Sequence, residues 1–155
     1  MTIGITGHQE LSAKAEAFVK AHLPGELKAA SATRCVSSLA AGADQLFAQA
    51  ALASAVPLHV VVPCQHYEDA FSSPQALAQY QDLRKQAASE ETLNYDQPNS
   101  AAFLAAGQRV ADLSDKLLAI WNGQPARGEG GTADIVAYAR RLGKPVLVFW
   151  PSPSA

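Results

Sequence analysis

The chain has 155 residues, 48% of them hydrophobic and 17% charged, and a net charge of −2. This balance excludes a disordered tail and is enough for one folded domain with a real core, read here over residues 1–155. So small a net charge gives no general attraction to nucleic acid or anionic membrane, so neither DNA, RNA nor a membrane is expected as a partner.

No apolar run approaches the roughly 20 residues of a membrane span. The opening "MTIGITGHQ" lacks a basic stretch followed by an apolar leader. A cytoplasmic protein is expected, with Cys35 and Cys64 as buried, reduced thiols.

Five short apolar runs alternate with helical patterns. The first run is Thr2 to Thr6. A helix capped by Ser12 follows, with Ala15, Phe18 and Val19 on its apolar stripe, and Pro24-Gly25 is expected to end it. Thr33 to Ser38 is the second run, and Leu46, Phe47, Ala50 and Ala53 share one face of the next helix. Leu58 to Pro63 is the third run, rich in β-branched residues, with His59 as a satisfied core residue. Gln65 to Gln97 breaks the rhythm and reads as a helical insertion. Ser73-Pro74 starts its helix, and a small strand is expected near Leu93 to Tyr95. Phe103, Ala106, Val110 and Leu113 mark a further stripe. Lys116 to Trp121 is the fourth run. The last helix has Thr132 as its expected cap, Ile135, Val136, Ala139 and Leu142 as its buried face, and Gly143 as its stop. Pro145 to Trp150 is the fifth run.

Short, nearly continuous apolar runs are the signature of parallel strands covered on both faces. Strand–helix alternation then implies right-handed βαβ units. The expected fold is a three-layer α/β sandwich, a Rossmann-like, mostly parallel sheet ordered 3-2-1-4-5 with helices on both faces.

Ligands of such sheets bind beyond the carboxyl ends of the strands. Three of those ends carry small residues: "TGHQ" (Thr6 to Gln9), "SSLAAGADQ" (Ser37 to Gln45) and "WNGQPARGEGGTAD" (Trp121 to Asp134). A helix N-terminus exposes unpaired N–H groups and partial positive charge, and glycines ahead of it let an anion approach. The pattern suits a phosphorylated small-molecule ligand held by main-chain donors at Gly7, Gly42, Gly130, Gly131 and Thr132. Each glycine also has a plain reading, as a tight turn, a close packing contact or a surface loop.

The polar side chains stay open between two readings. His8 contacts a phosphate or bonds to backbone. Asp44 takes a ribose hydroxyl or serves its helix dipole, and Asp134 has the same alternatives. Arg127 and Glu129 sit on the glycine-rich loop, where solvent exposure is the default. Trp121 stacks on a base or packs in the core. No metal-ligand spacing, Walker lysine, GxGxxG or GxSxG pattern occurs, so no metal and no resident cofactor are expected.

The blocks "IGITGHQEL", "SSLAAGADQLFAQAAL", "VVPCQHYEDAF" and "LLAIWNGQPARGEGGTADIVAYARRLGKPV" resemble a bacterial, stand-alone branch of the SLOG superfamily. That superfamily includes the LOG-type phosphoribohydrolases and the DprA and Smf proteins. The resemblance spans nearly the whole chain and implies a Rossmann-like sheet with a nucleotide or nucleotide-derived ligand. It carries Gly7 and His8 onto the first loop and Ser38, Gly42, Ala43 and Asp44 onto the second. Trp121 and Asn122 fall where relatives often have "WDG", and Gln9 where they often have arginine. Gly130, Gly131 and Thr132 resemble the phosphate-cradling part of the LOG motif PGGxGTxxE. The proline is missing, however, and Ile135 occupies the place of the catalytic glutamate. Asp134 is one residue short, about 100° away around the helix. The catalytic candidates are therefore Asp134, Glu129 and Asp44.

Three functions remain open from the sequence. One is a module binding a nucleotide or an ADP-ribose-like signalling ligand. The second is a phosphoribohydrolase cleaving an N-glycosidic bond. The third is a scaffold whose glycines are only loops. Self-association as a homodimer is a further open expectation.

Overall fold

The structure, a computed structural model, describes residues 1–125 and 131–151. In chain order it runs β1 (Thr2–Gly7), α1 (Ala13–Ala29), β2 (Arg34–Ser37), α2 (Ala43–Ala53), β3 (Leu58–Val62), a 3-10 turn (Tyr67–Ala70), α3 (Pro74–Gln86), β4 (Ser89–Thr92), α4 (Ser100–Leu113), β5 (Lys116–Ile120), α5 (Thr132–Arg141) and β6 (Val146–Val148). The strands form one sheet ordered β4-β3-β2-β1-β5-β6, and every pairing is parallel.

The five expected strands keep their expected order, and β4 is added outside β3. The segment expected to be an insertion is thus an ordinary βαβ unit, and its strand lies at Ser89–Thr92 rather than near Leu93 to Tyr95. The reason is chemical. "SEET" contains no apolar residue, so hydrophobic patterning cannot flag it. This edge strand is joined to β3 by polar side chains as well as by its ladder. His59 Nδ1 lies 2.7 Å from Ser89 Oγ and its Nε2 lies 2.9 Å from Glu91 Oε1. Arg109 of α4 donates to both Glu91 oxygens at 3.2 Å. His59 is indeed a satisfied buried residue.

Strand direction fixes the layers. Steps from β1 out to β4 place α1, α2 and α3 on one face, and the return to β5 and β6 places α4 and α5 on the other. Alternate side chains serve the two cores. Ile3, Ile5, Leu58, Val60, Leu118 and Ile120 pack with Val19, Leu23 and Phe47. Val36, Val61 and Leu117 pack with Ala106, Val110, Ile135 and Ala139. Each large side chain buried this way contributes roughly 1.5–3 kcal/mol, which is why the strands read as continuous apolar runs. Cys35 and Cys64 are buried and unpaired.

Two helix ends differ from expectation. Helix α1 does not stop at Pro24-Gly25 but continues to Ala29. An internal proline forfeits a hydrogen bond, at about 3 kcal/mol. Leu23 and Leu27, one turn apart and both nearly fully buried, offset that loss by extending the apolar stripe across it. At the end of α5, Leu142 is the C-cap and is 46% exposed rather than buried. Gly143 follows at φ +75°, as its role as a stop requires. The cap of α5 is Gly131, and Thr132 is the first helical residue.

Candidate functional site

All six strands run the same way, so the three small-residue reversals lie on one rim of the sheet. The strand order reverses between β1 and β5. The crevice beyond their carboxyl ends is the topological switch point, the place where ligands of open parallel sheets bind. Helix α5 packs against β1, β5 and β6, so its first turn opens onto the same rim.

The first two reversals are locked to each other. The N–H of His8 donates to Ile120 O at 3.1 Å, and the N–H of Ala43 donates to His8 O at 3.1 Å. A Cβ on Gly7 would lie 2.5 Å from Ala43 Cβ and 2.9 Å from Ile120 O, so Gly7 lets α2 approach the β1–β5 seam. The His8 ring completes the junction. Its Nε2 accepts the N–H of Asn122 at 3.1 Å, and its edge meets Trp150, with ring centroids 5.5 Å apart. In the neutral ring Nδ1 therefore carries the proton.

The Ser38–Gly42 turn is held from inside by Asp44. Its carboxylate accepts N–H groups from Ala40, at 3.3 Å, and from Ser38. Ser37 Oγ accepts the N–H of Leu39 at 3.0 Å and donates to Asp44 O at 3.2 Å. Asp44 is half-buried as a residue, but its carboxyl end is enclosed. Burial pushes that carboxyl up to about 7, against the two N–H groups that pull it down. The same burial, with Asp44 nearby, raises the Tyr67 phenol well above its ordinary value.

The expectation of three converging main-chain cradles is thereby narrowed. The amides of His8, Ala40, Ala43 and Asn122 are spent within the protein. The third reversal ends at the start of α5. Ser12, Ser73 and Asn99 cap α1, α3 and α4 with side-chain oxygens, whereas the N-caps of α2 and α5 are Gly42 and Gly131, which have no side chain to cap with. In α2 the Ala43 amide is taken by His8. In α5, Gly131 precedes a buried Thr132 and a half-buried Asp134. Arg127, Glu129 and Gly130 lie outside the described residues.

Trp121 is half-buried at the end of β5, and its indole N–H donates to Gln124 O at 2.8 Å, which fixes the ring beside the crevice. Sequence reasoning missed Trp150, which meets His8 from beyond β6. Its position in the fifth apolar run signalled only core packing. Among the described residues no His, Cys, Asp and Glu group is arranged to hold a metal ion, and no helix is long and apolar enough to cross a membrane.

No family model matches the chain, and no curated protein matches it. Solved structures do. DNA processing protein A (DprA) from Streptococcus pneumoniae aligns over 98% of this chain and 51% of its own, at 20% identity and a TM-score of 0.71. The same protein from Helicobacter pylori aligns over 96% and 64%, at 22% identity and a TM-score of 0.68. The molybdenum cofactor carrier protein from Chlamydomonas reinhardtii aligns over 95% and 74%, at 15% identity and a TM-score of 0.60. The chain thus spans between half and two thirds of the DprA chains it matches.

These matches correct the expectation that nucleic acid is excluded. The Helicobacter pylori protein, which contains this fold, has a single-stranded DNA binding mode. Net charge is a sum over the whole surface. It says nothing about local donors and stacking platforms, which set single-strand binding. The similarity is one of architecture: the chain has the Rossmann-like, parallel α/β fold of these proteins, as the sequence resemblance implied.

Proposed function

We propose that this chain binds a phosphorylated, nucleotide-type ligand at the β1–β5 crevice. The phosphate sits against the first-turn amides of α5, Thr132 and Ala133, and Gly131 leaves the approach open. Trp121 and Trp150 flank the crevice as aromatic walls, and His8 holds the Asn122 loop in place. In this reading Gly7, Gly42, Ala43, Ser38 and Asp44 build the rim rather than touch the anion. The observation that carries it is the start of α5 on Gly131, whose place as N-cap brings no capping side chain, at the switch point of the sheet.

The test is native mass spectrometry of protein purified from cells, followed by calorimetry with nucleoside mono- and diphosphates, ADP-ribose and short oligonucleotides. Binding of a phosphorylated nucleoside, lost in Gly131→Asp, supports the reading. Failure of every phosphorylated probe to bind ends it.

A second reading has one observation in its favour, the single-stranded DNA binding of a protein with this fold. There the anion at α5 is one phosphodiester of a strand. It predicts that affinity rises with oligonucleotide length and falls steeply with salt. A mononucleotide ligand shows neither. Hydrolysis is checked in the same samples by looking for free base. Its release, abolished by Asp134→Asn, assigns an N-glycosidic activity.

A further inference from the structure

Beside the crevice, on the α1–α2–α3 face, lies a cleft of about 530 Å³. That is within the roughly 300–1,000 Å³ of small-molecule sites. Gly42 belongs to its wall, and Gly42 also rests on the carbonyls of His8 and Gln9, so the cleft is continuous with the first-strand loop. Its lining is unusual in its chemistry. Gln9, Gln45, Gln49, Gln75 and Gln79 all face it. The charged groups on its wall are Glu10, Glu16 and Lys20, and Lys20 pairs with Glu16 at 2.9 Å. Such a surface repels a phosphate mildly and suits an uncharged group rich in hydrogen-bonding atoms.

Gln45 is the informative residue. It is only 7% exposed. Its Nε2 donates to Leu39 O at 3.2 Å and to Ala76 O at 2.9 Å, so both amide hydrogens are spent and the amide orientation is fixed. Among the described residues, no hydrogen bond involves its Oε1, and no fully enclosed side-chain oxygen is left unpaired. The Oε1 atom therefore meets the open cleft. A pre-oriented acceptor with no internal partner, carried on an otherwise buried side chain, favours a ligand that donates to it, because the protein has already fixed the side chain.

We infer that this cleft takes the uncharged nucleoside part of the ligand, with Gln45 Oε1 accepting from an exocyclic amine or a sugar hydroxyl. The phosphate then leads past Gly42 and His8 toward α5. The surrounding carboxamides add adaptable donors and acceptors, the chemistry that reads nucleobase edges elsewhere. This inference rests on the nucleotide reading above and names its specificity site.

The experiment is calorimetry with nucleosides, their 5′-monophosphates, ribose 5-phosphate and inorganic phosphate. It compares the wild-type chain with Gln79→Trp and Gln49→Trp, which fill the cleft from α3 and from α2, and thermal melts confirm folding. Each plug is expected to weaken the best nucleotide at least tenfold while leaving inorganic phosphate unchanged. Analogues of that nucleotide lacking one amine or hydroxyl at a time report on Gln45 without touching the fold, and one deletion is expected to cost about tenfold. Nucleotide binding unchanged by both plugs, or equally indifferent to every donor deletion, overturns the inference and leaves the phosphate site standing. Absence of binding by any phosphorylated probe overturns both.

Discussion

His8 and Ala43, 35 positions apart in sequence, are joined by one hydrogen bond, Ala43 N to His8 O at 3.1 Å. It ties the loop after β1 to the first turn of α2. The bond needs α2 to begin close beneath the loop, and Gly42 makes that approach. Its φ of +81° and ψ of −122° are open essentially to glycine alone, and an added Cβ would lie 2.6 Å from His8 O.

Gly42→Ala is therefore expected to cost roughly 2–4 kcal/mol, combining backbone strain with steric overlap. Urea unfolding measures it. A change below about 0.5 kcal/mol would show that the turn relaxes freely and is no keystone of the rim.

Gly131 predicts the opposite. Its φ of −69° and ψ of 165° are ordinary cap geometry that any residue adopts. Gly131→Asp provides a capping carboxylate and should leave stability unchanged or raise it by a few tenths of a kcal/mol. It also fills the anion site with a negative charge, so nucleotide affinity should fall at least tenfold. Retained affinity in a stable variant would move the phosphate elsewhere.

Asp44 makes stability depend on pH. Its carboxyl is raised to about 7 in the fold, from an unfolded value near 4. The folded state thus holds a proton that the unfolded chain has released. This contribution is complete below about pH 4 and is lost as pH rises through 7. Asp44→Asn keeps an oxygen to accept the Ala40 and Ser38 amides and removes the titration. The variant's stability should change less between pH 5 and 8 than the wild type's, as denaturant midpoints across that range will show. Parallel curves would mean that Asp44 is ionised throughout.

The polar bridge to β4 is testable by exchange. Partial burial raises the Glu91 carboxyl, but the His59 and Arg109 contacts outweigh it and hold the group below the ordinary carboxylate value. The stabilisation is present above the unfolded value and is lost as pH falls through the lowered one. At neutral pH, Glu91→Gln should cost about 1 kcal/mol. It should speed amide hydrogen exchange in Ser89–Thr92 before the inner strands. Unchanged β4 protection would assign the strand's retention to its ladder alone.

The fold was legible because two-sided burial writes β1, β2, β3 and β5 as apolar runs, because the edge strand β6 is apolar as well though only partly buried, and because Ser12, Ser73-Pro74 and Gly143 punctuate the helices as their chemistry dictates. Strand β4 was illegible because it is polar and exposed on an edge. The length of α1 was misread at Pro24, where Leu23 and Leu27 override a local breaker through tertiary packing.

The rim was legible only as a location. Glycine spacing marks where backbone comes close, but not what it comes close to. Gly7 and Gly42 serve contacts between α2 and the β1 loop, which no local window reveals. Trp150 and Gln45 carried no signal of their own, since one looked like core and the other like an ordinary first-turn residue.

The most direct test of the central claim is an amide NMR titration of the isotopically labelled chain with nucleoside monophosphates. The account predicts that the Thr132 and Ala133 amide resonances move first and furthest, with saturation at the calorimetric stoichiometry. Saturable binding that leaves those two amides in place, or no binding at all, would contradict it.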